Sequence, residues 1–342
     1  MVYKSGLAPV DDIGTQLYYE DTGPPTKDST EAYTTLFLIH GAVFHSAIFR
    51  RLHPHALHHN LRIVALNRRG YPSSTPYTHS ELEALRGQDK DAQATRLRAL
   101  ALQIASFVHW FVQTEKIGQA AVLAWSAGNV FALAMLAHAH TFPPEIAGTI
   151  EQHCRCIILY DCPQFVCELS YGRTHPMWDP TLPPSKLVPT LYSLMSGYFS
   201  HPSPHSRNAS GLTLTRNPSK TPSIDRMTPA ELASVSHCSP LDSPDVLLTR
   251  LQPGVRVENL VGALRVSESV WPDVQIKLVP CMESAWEMLT ARWEIERRHE
   301  ELRAGGVPVR TLSVHEQCGA NHFAHWDIPE ETMQFLANVI RS

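Results

Sequence analysis

Ser126 stands where a short buried run gives way to a helix. Val122 and Leu123 close the apolar run, Ala124-Trp125-Ser126-Ala127-Gly128 follows, and Val130 to Ala139 is an Ala/Leu-rich stretch of good helix propensity. Only small residues lie two positions either side of the serine, so the backbone can turn sharply and lift the hydroxyl clear of a sheet. A hydroxyl so presented is a nucleophile once a base takes its proton. The plainer alternative is a helix-capping serine, a common role for this residue. A helix opening at Ala127 also points free N–H groups at the same spot. Far along the chain, a strand at 307–314 leads into Gly319-Ala320-Asn321-His322-Phe323. A histidine on the loop after a last strand can reach a serine at a neighbouring strand end, take its proton and return it to a leaving group. His40-Gly41-Ala42 follows a third apolar run, and an N–H just after Gly41 could pair with that of Ala127 to hold a developing oxyanion.

These residues need strands to carry them, and the chain supplies strands and helices in alternation. Thr15 to Glu20 reads as one strand of an opening hairpin, after the turn Asp11-Asp12-Ile13-Gly14. Buried strands are expected at 35–39, 62–66, 120–124, 156–160, 274–279 and 307–314. Between them lie a short helix at 46–57 and a long one at 92–113, with Leu97, Leu100, Ile104, Phe107, Val108 and Phe111 at helical spacing. Such alternation predicts an α/β fold, a mostly parallel sheet with helices on both faces. Ligands of such sheets sit at the carboxyl ends of the strands. Residues 163–272 break the rhythm with no clear strand and many prolines and serines. They read as an insertion over those ends, which divides the core into 1–162 and 273–342. Within it, 200–225 reads as a mobile loop unable to bury a core. The tail 255–266 either returns along the insertion or packs on the core.

Composition narrows the classes. Of 342 residues, 43% are hydrophobic and 18% charged, which are globular values, and the net charge of −4 gives no electrostatic case for nucleic acid. No run approaches a membrane span and the N-terminus does not read as a signal peptide, so the expected setting is cytoplasmic. Seven scattered cysteines read as reduced core residues. His53, His55, His58 and His59 lack flanking carboxylates, and Cys154-x-Cys156 has the wrong spacing for a zinc knuckle, so no metal is expected. Asn208-Ala209-Ser210 is a sequon without an apparent secretory route, and Glu294 with Arg298 reads as a solvated helix pair.

In order, the chain offers a hairpin, His40-Gly41, the loop Asn67-Arg68-Arg69-Gly70-Tyr71-Pro72-Ser73-Ser74, the serine turn, an insertion and Gly-x-Asn-His-Phe. This series resembles the α/β-hydrolase superfamily, in the serine branch with a cap inserted after the sixth strand. The resemblance spans 10–165 and 273–342. It implies Ser126 as nucleophile, with Ala124 where the usual elbow has glycine, His322 as base, and the N–H groups of Ala42 and Ala127 as oxyanion hole. His40 and His325 fall outside the base position and read as structural, and the 67–74 loop reads as a buttress of the site.

The acid departs from the family pattern, which ends the seventh strand with Gly-Glu-x-Asp. Here Pro280-Cys281-Met282-Glu283-Ser284 puts Ser284 in the aspartate slot and Glu283 one residue early. Asp161, directly after Ile157-Ile158-Leu159-Tyr160, is the preferred acid, because a buried carboxylate needs a partner and an imidazole supplies one. Glu283 is the alternative and Glu287 a further candidate. The expected activity is a serine hydrolase acting on a small or medium apolar ester, thioester or lactone through an acyl-enzyme, with no cofactor. Met177, Trp178, Leu191, Tyr192, Met195, Tyr198 and Phe199 are the lid residues expected to line the site, unless they form the lid's own core. The other readings are a ligand-binding or sensor protein of the same fold and a lyase using the same serine and histidine.

Overall fold

A computed structural model of the chain describes residues 3–25, 32–169, 181, 183–237, 244–267 and 270–342. Eight strands form one sheet: β1 (Lys4–Pro9), β2 (Gln16–Asp21), β3 (Thr34–Ile39), β4 (Leu61–Leu66), β5 (Gln119–Trp125), β6 (Cys154–Tyr160), β7 (Gln275–Val279) and β8 (Leu312–Val314). Their order is β1-β2-β4-β3-β5-β6-β7-β8. The β1–β2 hairpin runs antiparallel to itself and to β4, and every later pairing is parallel.

Successive side chains of a strand point to opposite faces, and the two sides of the sheet bury separate apolar clusters. Phe37, Ile39, Val64, Leu66, Val122 and Ala124 belong to one cluster, and Leu36, Leu38, Ile63, Ala65, Leu123 and Trp125 to the other. The helices are α1 (His53–Ala56), α2 (His79–Arg86), α3 (Lys90–Glu115), α4 (Asn129–His138), α5 (Pro144–His153), α6 (Pro184–Met195), α7 (Pro229–Val235), α8 (Pro244–Thr249), α9 (Val255–Leu264), α10 (Trp286–Ala304), α11 (Ala324–Asp327) and α12 (Pro329–Arg341). The apolar stripe of α3 packs with α4, α5 and α9 on the first face, and 46–52 with α11 and α12 covers the second.

One element differs from the sequence expectation. The last strand is only Leu312–Val314, because the backbone of 308–310 pairs elsewhere. Val266 N–H donates to the Pro308 carbonyl at 3.0 Å and Arg310 N–H to the Leu264 carbonyl at 2.9 Å. The same pairing resolves the tail of the insertion: α9 lies on the core, with Leu260, Ala263 and Leu264 buried in the α4 cluster.

Segment 201–227 has no strand or α-helix, as its composition predicts, yet it is tied to the core at several points. Arg207 pairs with Glu300 at 2.8 Å, Lys220 with Glu283 at 2.5 Å, and the Ser223 hydroxyl donates to Asp327 at 2.5 Å. Leu212 joins Phe199, Trp286, Leu289 and Trp293 in a third apolar cluster. Among the described residues no helix is long and apolar enough to cross a membrane.

Candidate active site

The turn between β5 and α4 holds Ser126 at φ +55°, in the left-handed region that a non-glycine residue seldom enters. The neighbours require it. A Cβ on Gly128 would come within 2.8 Å of the carbonyl oxygens of both Ile39 and His40, so the start of the helix rests on the backbone leaving β3. A Cβ on Gly41 would meet Ser126 Cβ at 2.8 Å and Oγ at 3.3 Å. Glycine at 41 and 128 therefore lets two backbones close on the serine, which remains half-buried while Trp125 and Ala127 are buried. Asn129 Nδ2 caps the turn by donating to the Ser126 carbonyl at 2.7 Å.

His322 reaches this turn from the loop after β8. Trp125 is the hinge between them: its Nε1–H donates to the His322 carbonyl at 2.9 Å, and the two rings lie 5.0 Å apart. On its other side, His322 Nδ1 lies 2.6 Å from Asp161 Oδ2. Asp161 sits at the corner after β6 with φ +48° and is fully buried. Its Oδ1 accepts the Cys281 N–H at 2.9 Å, and its Oδ2 also accepts the Ser284 hydroxyl at 2.5 Å. A buried carboxylate with three donors is held in one orientation.

Glu283 lies apart from this group, its carboxylate on Lys220, and among the described residues no hydrogen bond joins it to His322. Glu287 is buried in the first turn of α10. The structure thus brings Asp161 to His322 and carries Glu283 to the insertion.

Gly41-Ala42-Val43 runs beside the serine. Among the described residues no hydrogen bond engages the N–H of Ala42 or of Ala127, and the latter opens the helical turn at the serine. His40, fully buried, accepts the Arg68 N–H at Nε2 (3.0 Å), with Nδ1 on the Gly41 carbonyl (2.8 Å). This pattern needs a neutral ring, and burial beside Arg68 lowers the pKa of His40 well below the usual imidazole range. His325 is likewise buried, among Trp125, Phe49 and Phe323, and burial keeps it neutral too.

The model of the alpha/beta hydrolase family matches residues 36–335. The chain belongs to this family. Solved structures with the same fold include an esterase from Exiguobacterium antarcticum, at 14% identity and TM-score 0.54, covering 97% of this chain and 98% of that one. A haloalkane dehalogenase from Bradyrhizobium elkani is similar at 14% identity and TM-score 0.56, covering 99% and 98%. A bromoperoxidase from Bacillus anthracis is similar at 12% identity and TM-score 0.53, covering 99% and 100%. At these identities the likeness is one of fold. No curated protein sequence matches the chain.

Within this alpha/beta hydrolase, the expected lid residues divide. Tyr192 and Met195 pack on the cluster that holds Phe44, Trp125 and Phe323, at the carboxyl end of the sheet. Phe199 is fully buried against Trp286 and its neighbours on α10, and the Tyr198 hydroxyl donates to Asp327 on α11 at 2.7 Å, so these two fasten the insertion to the core. Leu191 is half-buried on α6, and Met177 and Trp178 lie outside the described residues. Among the described residues no three His, Cys, Asp or Glu side chains gather as a metal site; His53 packs edge-on against Tyr3 instead. Sequence reasoning named Ser284 only as an empty slot and passed over Asp245, which Arg68 and Tyr71 meet from the 67–74 loop. The signal for Ser284 was its position. Nothing local marked Asp245, whose partners lie more than 170 residues away.

Proposed function

We propose that this alpha/beta hydrolase is a serine hydrolase that cleaves a small or medium apolar ester, thioester or lactone through an acyl-enzyme on Ser126. The observation that carries the reading is the 2.6 Å contact between His322 Nδ1 and the buried carboxylate of Asp161, on a loop bound through Trp125 to the turn that presents Ser126. With the proton on Nδ1 donated to Asp161, the lone pair of Nε2 is free to take the hydroxyl proton. Ser126 Oγ then forms a bond to the substrate carbonyl carbon, and the N–H groups of Ala42 and Ala127 hold the oxygen that gains the charge. Collapse breaks the bond to the leaving group, which takes the proton from Nε2. Water, deprotonated by the same nitrogen, releases the acid and restores the serine. The apolar preference rests on Phe44, Tyr192 and Met195, which pack in one apolar cluster at the strand ends.

Incubation with a fluorophosphonate probe and with short and long nitrophenyl esters tests this directly, beside Ser126→Ala. Labelling and turnover that both vanish in the variant are the expected result. Labelling without turnover would favour a sensor on the same fold, and neither would remove Ser126 from the reading.

A further inference from the structure

Val43 is an unlikely residue for the conformation it holds. Its φ is +70°, where a β-branched side chain is strained, and the Phe44 N–H closes back on the Ala42 carbonyl at 2.8 Å to make a three-residue turn. Such a turn persists only where its surroundings over-determine it. Here they do, and most of them belong to the insertion. The Val43 carbonyl accepts the His237 N–H at 2.7 Å, His45 N–H donates to the Val235 carbonyl at 3.0 Å, and Phe44 pairs with Ser236 as an antiparallel bridge. The Val43 N–H donates to the Tyr71 hydroxyl at 2.7 Å.

That hydroxyl in turn donates to Asp245 Oδ2, on α8 of the insertion. Burial, with the Asp245 charge beside it, raises the tyrosine pKa well above its ordinary value, so the phenol stays protonated and able to donate. The other carboxylate oxygen accepts Arg68 Nη2 at 2.8 Å; that nitrogen also donates to the Gly41 carbonyl at 2.9 Å, and Arg68 Nε to the His40 carbonyl at 3.2 Å. One carboxylate thus anchors both flanks of Ala42: Arg68 on the Gly41 side and Tyr71 on the Val43 side. All four side chains, His40 included, are at least nine-tenths buried.

We propose that Tyr71 and Asp245 are positioning residues that keep the Ala42 N–H aimed at Ser126, so that the insertion completes the oxyanion-binding loop. The inference rests on the serine-hydrolase reading and adds to it that the insertion sets turnover. Residues acting this way change transition-state stabilisation more than ground-state binding.

The test compares wild type, Ser126→Ala, Tyr71→Phe, Val43→Gly and the Tyr71→Phe/Val43→Gly double variant in nitrophenyl ester kinetics, fluorophosphonate labelling rate and thermal unfolding. Tyr71→Phe is expected to lower kcat about 10- to 100-fold with KM within about twofold, because the loss is one of aim. The labelling rate should fall in proportion. In the Val43→Gly background the left-handed turn carries no strain, so the same Tyr71→Phe change should cost less than about a third as much. A purely structural tyrosine would give equal losses in both backgrounds, and that result overturns the proposal, as does a folded Tyr71→Phe with wild-type kcat. If Tyr71→Phe does not fold, His237→Pro asks the same question by deleting the N–H on the Val43 carbonyl: a fall in kcat at constant KM supports the proposal and an unchanged kcat overturns it. Absence of Ser126-dependent labelling in the wild type is the separate outcome that removes the hydrolase reading itself.

Discussion

Asp161 at the end of β6 and Glu283 just past the end of β7 are carboxylates on adjacent strand corners, and their surroundings differ throughout. Asp161 is fully buried and receives the Cys281 N–H, the Ser284 hydroxyl and His322 Nδ1. The side chain of Glu283 is 23% exposed and its partner is Lys220, itself 39% exposed, on the irregular stretch of the insertion. A charge without water must be surrounded by donors, and those donors fix its direction. A charge at the rim needs only one mobile counter-ion and is aimed at nothing in particular. The first environment suits a group that orients an imidazole, and the second suits a strap.

Exchange of the charges is the strongest way to break this contrast. Asp161→Asn is expected to lower kcat by roughly 10³- to 10⁴-fold, since an amide can hold the wrong tautomer of the ring in place. Ester turnover measured beside Glu283→Gln decides the matter: a large loss in the glutamine variant and a small one in Asp161→Asn would reverse the roles. A transplant sharpens the point. Because Ser284 Oγ already lies 2.5 Å from Asp161 Oδ2, a carboxylate grown from position 284 comes close to the same place. Asp161→Ser combined with Ser284→Asp should regain about 10- to 100-fold over Asp161→Ser alone, as expected when a base regains its orienting acid. Equal activity of the single and double variants would mean that the β6 corner itself, and not merely a charge near Nδ1, is required.

The core strands and long helices were legible because periodicity reports burial: the stripe from Leu97 to Phe111 predicts α3 within a few residues at each end. The end of β6 was legible for the same reason, since an aspartate after four apolar strand residues has to find a partner. What the sequence hid were contacts between distant segments. Pairing of 308–310 with the insertion tail shortened β8, and no local propensity encodes that choice. The composition of 201–227 foretold its irregular backbone but not its fastening, which depends on single residues such as Arg207, Lys220 and Ser223 meeting partners on α10, the β7 corner and α11. The Val43 turn was equally invisible, as valine is the wrong residue to suggest it.

Smaller changes examine each corner separately. Ser284→Ala removes one of three donors to Asp161 and leaves His322 Nδ1 in place. A hydrogen bond to a charged group contributes about 1.5–3 kcal/mol, but part of that stabilises the fold and not the transition state. The expected fall in kcat is therefore about 3- to 10-fold, with KM nearly constant. A loss as large as that of Asp161→Asn would mean that the hydroxyl takes part in proton transfer.

Glu283→Gln is the mildest test and the one that isolates the strap. It removes a partly exposed ion pair with Lys220, which is worth about 0–1 kcal/mol in water, and leaves the Glu283 carbonyl still accepting the Phe199 N–H at 2.9 Å. Thermal unfolding should fall by about 2–4 °C at most in low salt, with ester turnover within about twofold of wild type. Since salt screens a pair at the rim, the difference in midpoint should shrink as ionic strength rises towards about 1 M. A deficit that persists at high salt, or one that appears in kcat instead of stability, would place Glu283 in an environment more like that of Asp161 and erase the distinction between the two corners.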